Sequence, residues 1–225
     1  MIVLGLDTAL GACSAAVVAD GCVLAHEHVP MLRGHAEALA PMVERLMREA
    51  RVAWSSLDRI AVTTGPGTFT GQRVGLAFAR GLALALKKPV VGVTTLDAIA
   101  EEALGIGNVD WAIVAADAKR GEIYLGARSA KGETLIPPEL IPLELIAARI
   151  EGFAVVHGRA VVLAGTAAEA VVPLLQAAGF QTTDSLVRQP DALFVAKLGV
   201  LVPPAAPPKP LYLRAPDAKL PGAVL

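Results

Sequence analysis

The segment TTGPGTFTGQRVGLAFARGLALAL, from Thr63 to Leu86, joins a glycine-rich loop to an apolar helical pattern. Backbone N–H groups at a helix start attract anions, so this composition would suit a phosphate site. It is not a Walker A loop, because no Gly-Lys-Ser/Thr follows and Pro66 carries no N–H group. The second interpretation is that the glycines only shape the loop and Thr70 caps the helix.

Small residues recur every four positions of this helix in two rows, Gly71, Gly75 and Ala79 and, on another face, Ala77, Gly81 and Ala85. Such rows let another helix approach closely, which would compensate the roughly 1 kcal/mol that each interior glycine costs relative to alanine. The preceding helical pattern, Gly34 to Ala50, offers apolar residues for the same contact, namely Leu39, Met42, Val43 and Leu46. We therefore expect the two helices to form an interface with a partner subunit, and we expect Gly75→Arg to block this pairing. The alternative is that both helices simply cover their own sheet.

The length and composition of the chain exclude several classes of function. With 225 residues, 54% of them hydrophobic, the chain is long and apolar enough to bury a core. Aromatic residues are only 4%, which does not suit a surface on which bases stack. The net charge is −1, and a protein that binds a nucleic-acid backbone alone normally has an excess of basic residues. We find no signal peptide, and Arg80 interrupts the apolar run Val74–Leu86, so we expect a cytoplasmic protein with no membrane segment.

Strand and helix patterns alternate along the chain. It opens with strand, turn and strand, followed by a hairpin signal at Asp20-Gly21 and a third strand. Residues 1–104 predict an α/β lobe, and residues 105–225 predict a second, smaller α/β lobe that ends in a proline-rich connector and a tail returning toward the first lobe.

Six stretches together resemble the TsaB (YeaZ) family, in this order: GLDTALGACSAAV, RGHAEALAPMVERL, TTGPGTFTGQRVGLAFARGLAL, PVVGVTTLDAIA, DAKRGEIYLG and LYLRAPDAKLPG. The resemblance spans nearly the whole chain. It implies the actin-, Hsp70- and sugar-kinase-like (ASKHA) α/β fold, with two lobes that each contain a mixed sheet flanked by helices.

The resemblance also implies a role. The family is a non-catalytic partner of TsaD, which TsaE joins, in forming N6-threonylcarbamoyladenosine at position 37 of tRNAs that read ANN codons. It implies a homodimer when TsaD is absent, and contact with tRNA only through the complex. The interface expected from these helices comprises His35, Leu39, Met42, Val43, Leu46, Gly71, Gln72, Gly75 and Ala79. Gln72 departs from the small apolar residue usual at its position.

A metal site and a catalytic residue are not expected. In the TsaD paralogues an H-x-x-x-H pair holds a metal, and the matching positions here are Thr95 and Ile99, which cannot replace imidazoles. His26 and His28 share one face of a strand and are interpreted as a solvated pair, with a weak metal pair as the alternative. No nucleophile motif supports the older M22-type glycoprotease assignment of the family.

Nucleotide contact is left open. An Asp on the first strand of this fold often faces a nucleotide and Mg²⁺, so Asp7, Thr8, Gly67 and Arg73 are candidate contacts. The sequence lacks the additional Gly, Lys and Ser residues that the kinases have at this turn, so we expect no tightly bound cofactor. ATP or ADP with Mg²⁺ would lie at or near the interface with TsaD, and a stand-alone ATPase or kinase is the alternative function.

Two further motifs match the family without a derived role. DAKRGEIY, Asp117 to Tyr124, is interpreted as a turn that contacts the other lobe or a partner. Arg214 and Lys219, in the C-terminal motif, would reach a partner or tRNA, with solvated surface charge as the alternative.

Overall fold

The computed structural model describes residues 1–214, which form two five-stranded sheets with helices on both faces of each. The strands are β1 (Ile2–Asp7), β2 (Ala12–Ala19), β3 (Cys22–Pro30), β4 (Arg59–Thr63), β5 (Val90–Val93), β6 (Trp111–Asp117), β7 (Glu122–Ser129), β8 (Thr134–Pro142), β9 (Ala160–Ala164) and β10 (Gln181–Asp184). The helices are α1 (His35–Glu49), α2 (Phe69–Leu86), α3 (Thr95–Ile106), α4 (Ile146–His157), α5 (Ala168–Ala177) and α6 (Ala192–Leu201).

The two sheets share one topology although no sequence repeat is evident. The first sheet has the order β3-β2-β1-β4-β5, and the second has the order β8-β7-β6-β9-β10. In each sheet the first three strands are antiparallel and the last two are parallel to the central strand. The predicted α/β fold with two mixed sheets is therefore confirmed.

Two helices pack across the halves. Although α3 begins before residue 105, it packs on the second sheet, and α6 returns from the other half to cover the first sheet. The strands therefore divide at the expected boundary and the helices do not, so the division into domains at residue 104 stays a prediction.

The opening hairpin forms where the sequence predicts it. Asp20 and Gly21 have φ angles of 48° and 83°, the left-handed values that a tight two-residue hairpin turn requires. The preceding strand β1 is apolar along most of its length because both faces of the sheet are covered, by α1 and α2 on one side and by α6 on the other.

Two edge strands lack a clear sequence pattern. β8 contains Pro137 and Pro138, which argue against a central strand, and it lies at the edge of the second sheet where a missing N–H group is tolerated. β10 is the polar run QTTD and forms the opposite edge. Neither has the apolar run by which strands such as β1 and β4 can be found.

A buried arginine fixes the end of α6. Arg59 on β4 is 8% exposed, and its guanidinium donates to the carbonyl oxygens of Gly199, Val200 and Val202 at 2.6, 3.2 and 2.6 Å. These carbonyls lack helical partners at a helix end. The arginine thereby ties α6 to the first sheet.

No helix in the described part, residues 1–214, is long and apolar enough to cross a membrane. The longest, α2, carries two arginines, Arg73 and Arg80. The cytoplasmic location stays a prediction.

Candidate functional site

The glycine-rich loop shapes the start of α2. The Thr68 hydroxyl accepts a hydrogen bond from the Gly71 N–H at 3.0 Å, so Thr68, and not Thr70, caps the helix. Thr68 also donates its own N–H to the Ala9 carbonyl at 2.8 Å. Gly65 adopts a φ of 108°, which a side chain would strain. The loop is thus bound to the β1–β2 turn.

The first row of small residues faces the chain's own sheet. A Cβ atom added at Gly71 would lie 2.1 Å from the Thr8 carbonyl oxygen, and one added at Gly75 would lie 2.7 Å from the Thr8 hydroxyl. Ala79, the next residue of the row, is fully buried. Glycine is therefore needed because α2 packs directly on the β1–β2 turn, and the expectation that this row faces a partner is wrong.

The expected interface residues of α1 are also buried. Leu39, Met42, Val43 and Leu46 are at most 2% exposed and pack in the core beneath α1 and α2. Their assignment to an interface is wrong, because these side chains cover the sheet. His35 is half-buried at the start of α1, with a ring nitrogen 3.2 Å from the Leu10 carbonyl oxygen.

Gln72 supports the loop. Its side chain is 2% exposed and donates to the Gly67 carbonyl at 3.0 Å, while its Oε1 atom is buried without a partner among residues 1–214. The carboxamide lies 2.7 Å from where a Cβ atom at Gly65 would be. The unusual residue at position 72 therefore fills space under the loop and does not point toward a partner.

The second row of small residues faces outward. Ala77, Gly81 and Ala85 are exposed, and a Cβ atom at Gly81 would meet nothing within 4 Å. Leu84, beside this row, is 82% exposed. We call these four residues the outer face of α2. It is an apolar helix surface that residues 1–214 leave uncovered.

Asp7 is buried at the end of β1. Its Oδ1 atom accepts from the Thr63 hydroxyl at 2.6 Å and from the Ala9 N–H at 3.1 Å, while Oδ2 has no partner among residues 1–214. Burial raises the pKa of the Asp7 carboxyl to about 7. The structure thus places Asp7 as a residue that holds the turn.

The turn after β1 does not form an open nucleotide site. Thr8 is 1% exposed, and its hydroxyl donates to the Gly71 carbonyl at 2.7 Å. The N–H of Gly11 donates to the Gln189 side chain at 2.7 Å, so this turn amide is also occupied. The side chains of Asp7 and Thr8 are buried, and Asp7 Oδ2 is their one side-chain oxygen without a partner among residues 1–214. These two residues therefore line no open magnesium-nucleotide site in this arrangement.

Arg73 lies on the surface, over the Phe69 ring and beside Tyr212. Its guanidinium carbon is 3.4 Å from the centre of the Phe69 ring, and its Nε donates to the Tyr212 hydroxyl at 2.8 Å. Gly67, the remaining nucleotide candidate, is half-buried with its carbonyl bound to Gln72. Among residues 1–214, Arg73 is thus exposed and Gly67 half-buried, while Asp7 and Thr8 are buried, and nucleotide contact at these four residues stays a prediction.

The two positions that match the metal ligands of the paralogues lie in the core. Thr95 and Ile99, on one face of α3, are each fully buried. Thr95 donates its N–H to the Gly65 carbonyl at 2.8 Å, and Ile99 packs between α3 and the second sheet. Within residues 1–214, no three His, Cys, Asp or Glu side chains are grouped so as to hold a metal ion.

His26 is an exposed histidine that also pairs with an acidic side chain. Its Nε2 atom lies 2.7 Å from Asp191 Oδ1, and this hydrogen bond raises the pKa of the imidazole. Glu102 on α3 is near the same pair, and burial, together with Asp191, raises its pKa to about 7. Asp191 also caps α6, which its position before an apolar run could have indicated.

The DAKRGEIY turn contacts the C-terminal segment. Arg214 donates to the Ala118 carbonyl at 2.7 Å and pairs with Glu122. The turn therefore binds a segment that continues from the first sheet, where Leu211 donates to the Thr64 carbonyl. Lys219, the other candidate of this motif, lies outside the described residues.

Comparisons with known proteins agree with this geometry. The model of the family described as TsaD, tRNA N6-adenosine threonylcarbamoyltransferase, matches residues 29–191. The TsaB protein of Escherichia coli, named for tRNA threonylcarbamoyladenosine biosynthesis, is 38% identical over 125 residues, which are 55% of this chain and 53% of that protein. The chain thus spans about half the length of this relative. An uncharacterized protein of Mycobacterium bovis is 35% identical over 96% of this chain and 93% of its own length.

Solved structures share the fold. YeaZ from Pseudomonas aeruginosa superimposes with a TM-score of 0.77 at 30% identity, over 94% of this chain and 99% of that chain. The ROK hexokinase of Thermus thermophilus has a TM-score of 0.53 at 19% identity over 89% and 99%, which shows the sugar-kinase-like fold alone. The chain therefore belongs to the family of tRNA N6-adenosine threonylcarbamoyltransferase (TsaD), among its TsaB (YeaZ) members.

Proposed function

We propose that this chain is a non-catalytic subunit of a tRNA threonylcarbamoyladenosine-forming complex, in which it pairs with TsaD and holds it in an active state. The observation that carries the proposal is the outer face of α2. There Ala77, Gly81 and Ala85 leave a helix surface without bulky side chains, beside the exposed Leu84. Small residues at this spacing let a partner helix approach closely.

The same face serves a homodimer when TsaD is absent. Helix α1 packs beside α2 and presents Ala36, Ala40 and Glu44 to solvent, so two helices from each subunit would meet. We thus assign the pairing to the two helices expected from the sequence, but to side chains on their exposed faces instead of the buried ones first expected. TsaE joins the complex through TsaD, and the protein acts in the cytoplasm.

Catalysis is assigned to TsaD. At the positions of the metal-binding pair of the paralogues, this chain has buried threonine and isoleucine, Thr95 and Ile99, in its core. The side chains of Asp7 and Thr8 are engaged within the protein, which supports the proposal that the chain alone binds no nucleotide tightly. ATP or ADP with Mg²⁺ would be held mainly by TsaD, at or near the shared interface.

Two glycine substitutions test the pairing. Gly81→Gln places a long neutral side chain on the outer face of α2, and Gly152→Gln makes the same change on α4, where a Cβ atom also meets nothing within 4 Å. Each should stabilise its helix by up to about 1 kcal/mol. Only the first should weaken pairing, by 10-fold or more, because it separates the packed helices.

Size-exclusion chromatography with light scattering measures the result, on the chain alone and mixed with TsaD from the same organism. We expect a homodimer that converts to a one-to-one complex, with both assemblies weakened in Gly81→Gln and intact in Gly152→Gln. Equal pairing of both variants would remove the assignment to α2. ATP hydrolysis by the isolated chain would instead favour the stand-alone kinase or ATPase.

A further inference from the structure

A strip of positive charge runs along the flank of α2 that faces the C-terminal segment. The sequence contains no Asp or Glu between Asp58 and Asp97, and none from residue 192 to residue 214. The fold brings these two acid-free stretches together. Four of their surface cations lie on this flank, namely Arg73, Arg80, Lys88 and Lys209, which we call the cationic strip.

The C-terminal segment lies alongside α2. Arg80 donates to the Pro208 carbonyl, and Arg80, Lys88 and Lys209 line one groove together with Leu84 and Pro207. In the part of the chain that the structure describes, no residue of the strip forms an ion pair with a carboxylate. Within residues 1–214, no carboxylate therefore neutralises their charge.

Two exposed rings lie at one end of the strip. Phe69 and Tyr212 are stacked with their ring centres 5.7 Å apart, and they are 52% and 45% exposed. Arg73 sits against the Phe69 ring and bonds the Tyr212 hydroxyl, which orients both rings. In a chain with few aromatic residues, two of them are thus held at the surface next to unneutralised cations.

We propose that this surface binds a single-stranded segment of RNA directly, with phosphates along the cationic strip and a base against the Phe69–Tyr212 pair. Single-stranded nucleic acid is typically held by cations that follow the backbone and by aromatic faces on which bases stack. An acidic protein segment would use the cations but would gain no specific contact from the stacked rings. The proposal goes beyond the pairing with TsaD, because it assigns an RNA contact to this chain itself.

The charge arm of the test uses a fluorescein-labelled 12-nucleotide single-stranded RNA of mixed sequence and measures anisotropy at several salt concentrations. The variant Lys88→Gln/Lys209→Gln removes two cations of the strip. The control Arg48→Gln/Lys131→Gln removes two exposed cations elsewhere, so the net charge changes equally. The slope of log affinity against log salt should become shallower by about 1.4 in the strip variant only, because each lost phosphate contact contributes about 0.7.

The stacking arm replaces one ring. Phe69→Leu keeps an apolar side chain but removes the aromatic face, and we expect affinity for the RNA to fall roughly 5-fold to 100-fold. Phe153→Leu, at a second site where an arginine lies over a ring, is the matched control and should bind as the unchanged protein does. Circular dichroism of each variant confirms that the fold is retained.

Equal salt slopes for the strip and control variants would overturn the proposal, and so would an unchanged affinity of Phe69→Leu for the RNA. A third contrary result would be that poly-L-glutamate displaces the labelled RNA as well as unlabelled RNA does when both competitors carry the same concentration of charge. The last would assign the strip to an acidic protein surface. Gly81→Gln should still bind the RNA, and Lys88→Gln/Lys209→Gln should still pair with TsaD. Failure of one function is therefore distinguishable from failure of the other.

Discussion

At the scale of single residues, buried polar groups determine how the β1–β2 turn is held. Asp7 accepts from Thr63 and Ala9, and Thr8 donates to the first turn of α2. The fold places an Asp at the end of β1, and the surrounding groups bury it. Such a group responds to pH because burial penalises the ionised form.

The buried carboxyl gives a pH prediction. The pKa of Asp7 is about 7 in the folded chain against an ordinary value of 3.8, so between these values the folded state binds the extra proton. The free energy of unfolding should therefore fall as pH rises from about 4 to 7, by up to about 4 kcal/mol from this residue. Asp7→Asn cannot ionise and should flatten this part of the stability curve.

Urea unfolding at several pH values from 4 to 8 checks the prediction. Asp110→Asn, at an exposed position, serves as the control and should follow the unchanged protein. If the free energy of unfolding of Asp7→Asn instead changes with pH as it does in the control and the unchanged protein, the Asp7 carboxyl is already ionised or solvated in the folded chain.

At the scale of elements, α2 has two different small-residue faces. The row of Gly71 and Gly75 packs on the β1–β2 turn, while the row of Ala77 and Gly81 faces solvent. Both rows show the same four-residue spacing in the sequence. The spacing identifies helix faces that allow close approach, but it does not say whether the approaching element belongs to the same chain.

Alanine at the two glycines should therefore have opposite effects. Gly75→Ala places a Cβ atom 2.7 Å from the Thr8 hydroxyl and should destabilise the chain by about 1–3 kcal/mol. Gly81→Ala meets nothing and should stabilise it by up to about 1 kcal/mol. Thermal unfolding of both variants measures the difference.

The same contacts make Gly75→Arg an unfolding substitution and unsuitable as an interface probe. Equal stability of Gly75→Ala and Gly81→Ala would show that α2 is not packed on the turn as described.

At the scale of the whole molecule, the two halves exchange helices. One face of the first sheet, with Val3, Ala16 and Ala61, is covered by Val195 and Leu198 of α6. Because α6 comes from beyond the second sheet in sequence, the first half cannot complete its core alone. The arrangement also joins the halves mechanically through α3 and α6.

A fragment of residues 1–104 should accordingly fail to fold. The uncovered apolar face should bind a hydrophobic dye, and the fragment should unfold without a cooperative transition. Joining residues 188–202 to its end through a flexible linker should restore a cooperative transition, because α6 then covers the face. A cooperative transition in the fragment without α6 would establish residues 1–104 as an independent domain.

Much of the fold could be predicted from the sequence. The hairpin at Asp20-Gly21, α1 and α2 follow from local chemistry, since turn residues and apolar spacing act over a few positions. The edge strands β8 and β10 could not, because their place in a sheet depends on distant partners and their own residues are proline-rich or polar.

The sequence by itself determined most of the elements, the family and the absence of imidazoles at Thr95 and Ile99, because these are properties of residue type and local spacing. Tertiary structure alone decided which faces are free. It buried Leu39 and Gly75, exposed Gly81, and brought Tyr212 to Phe69. Burial and charge neutralisation depend on which distant segments meet, and a pattern of neighbours along the chain does not contain that information.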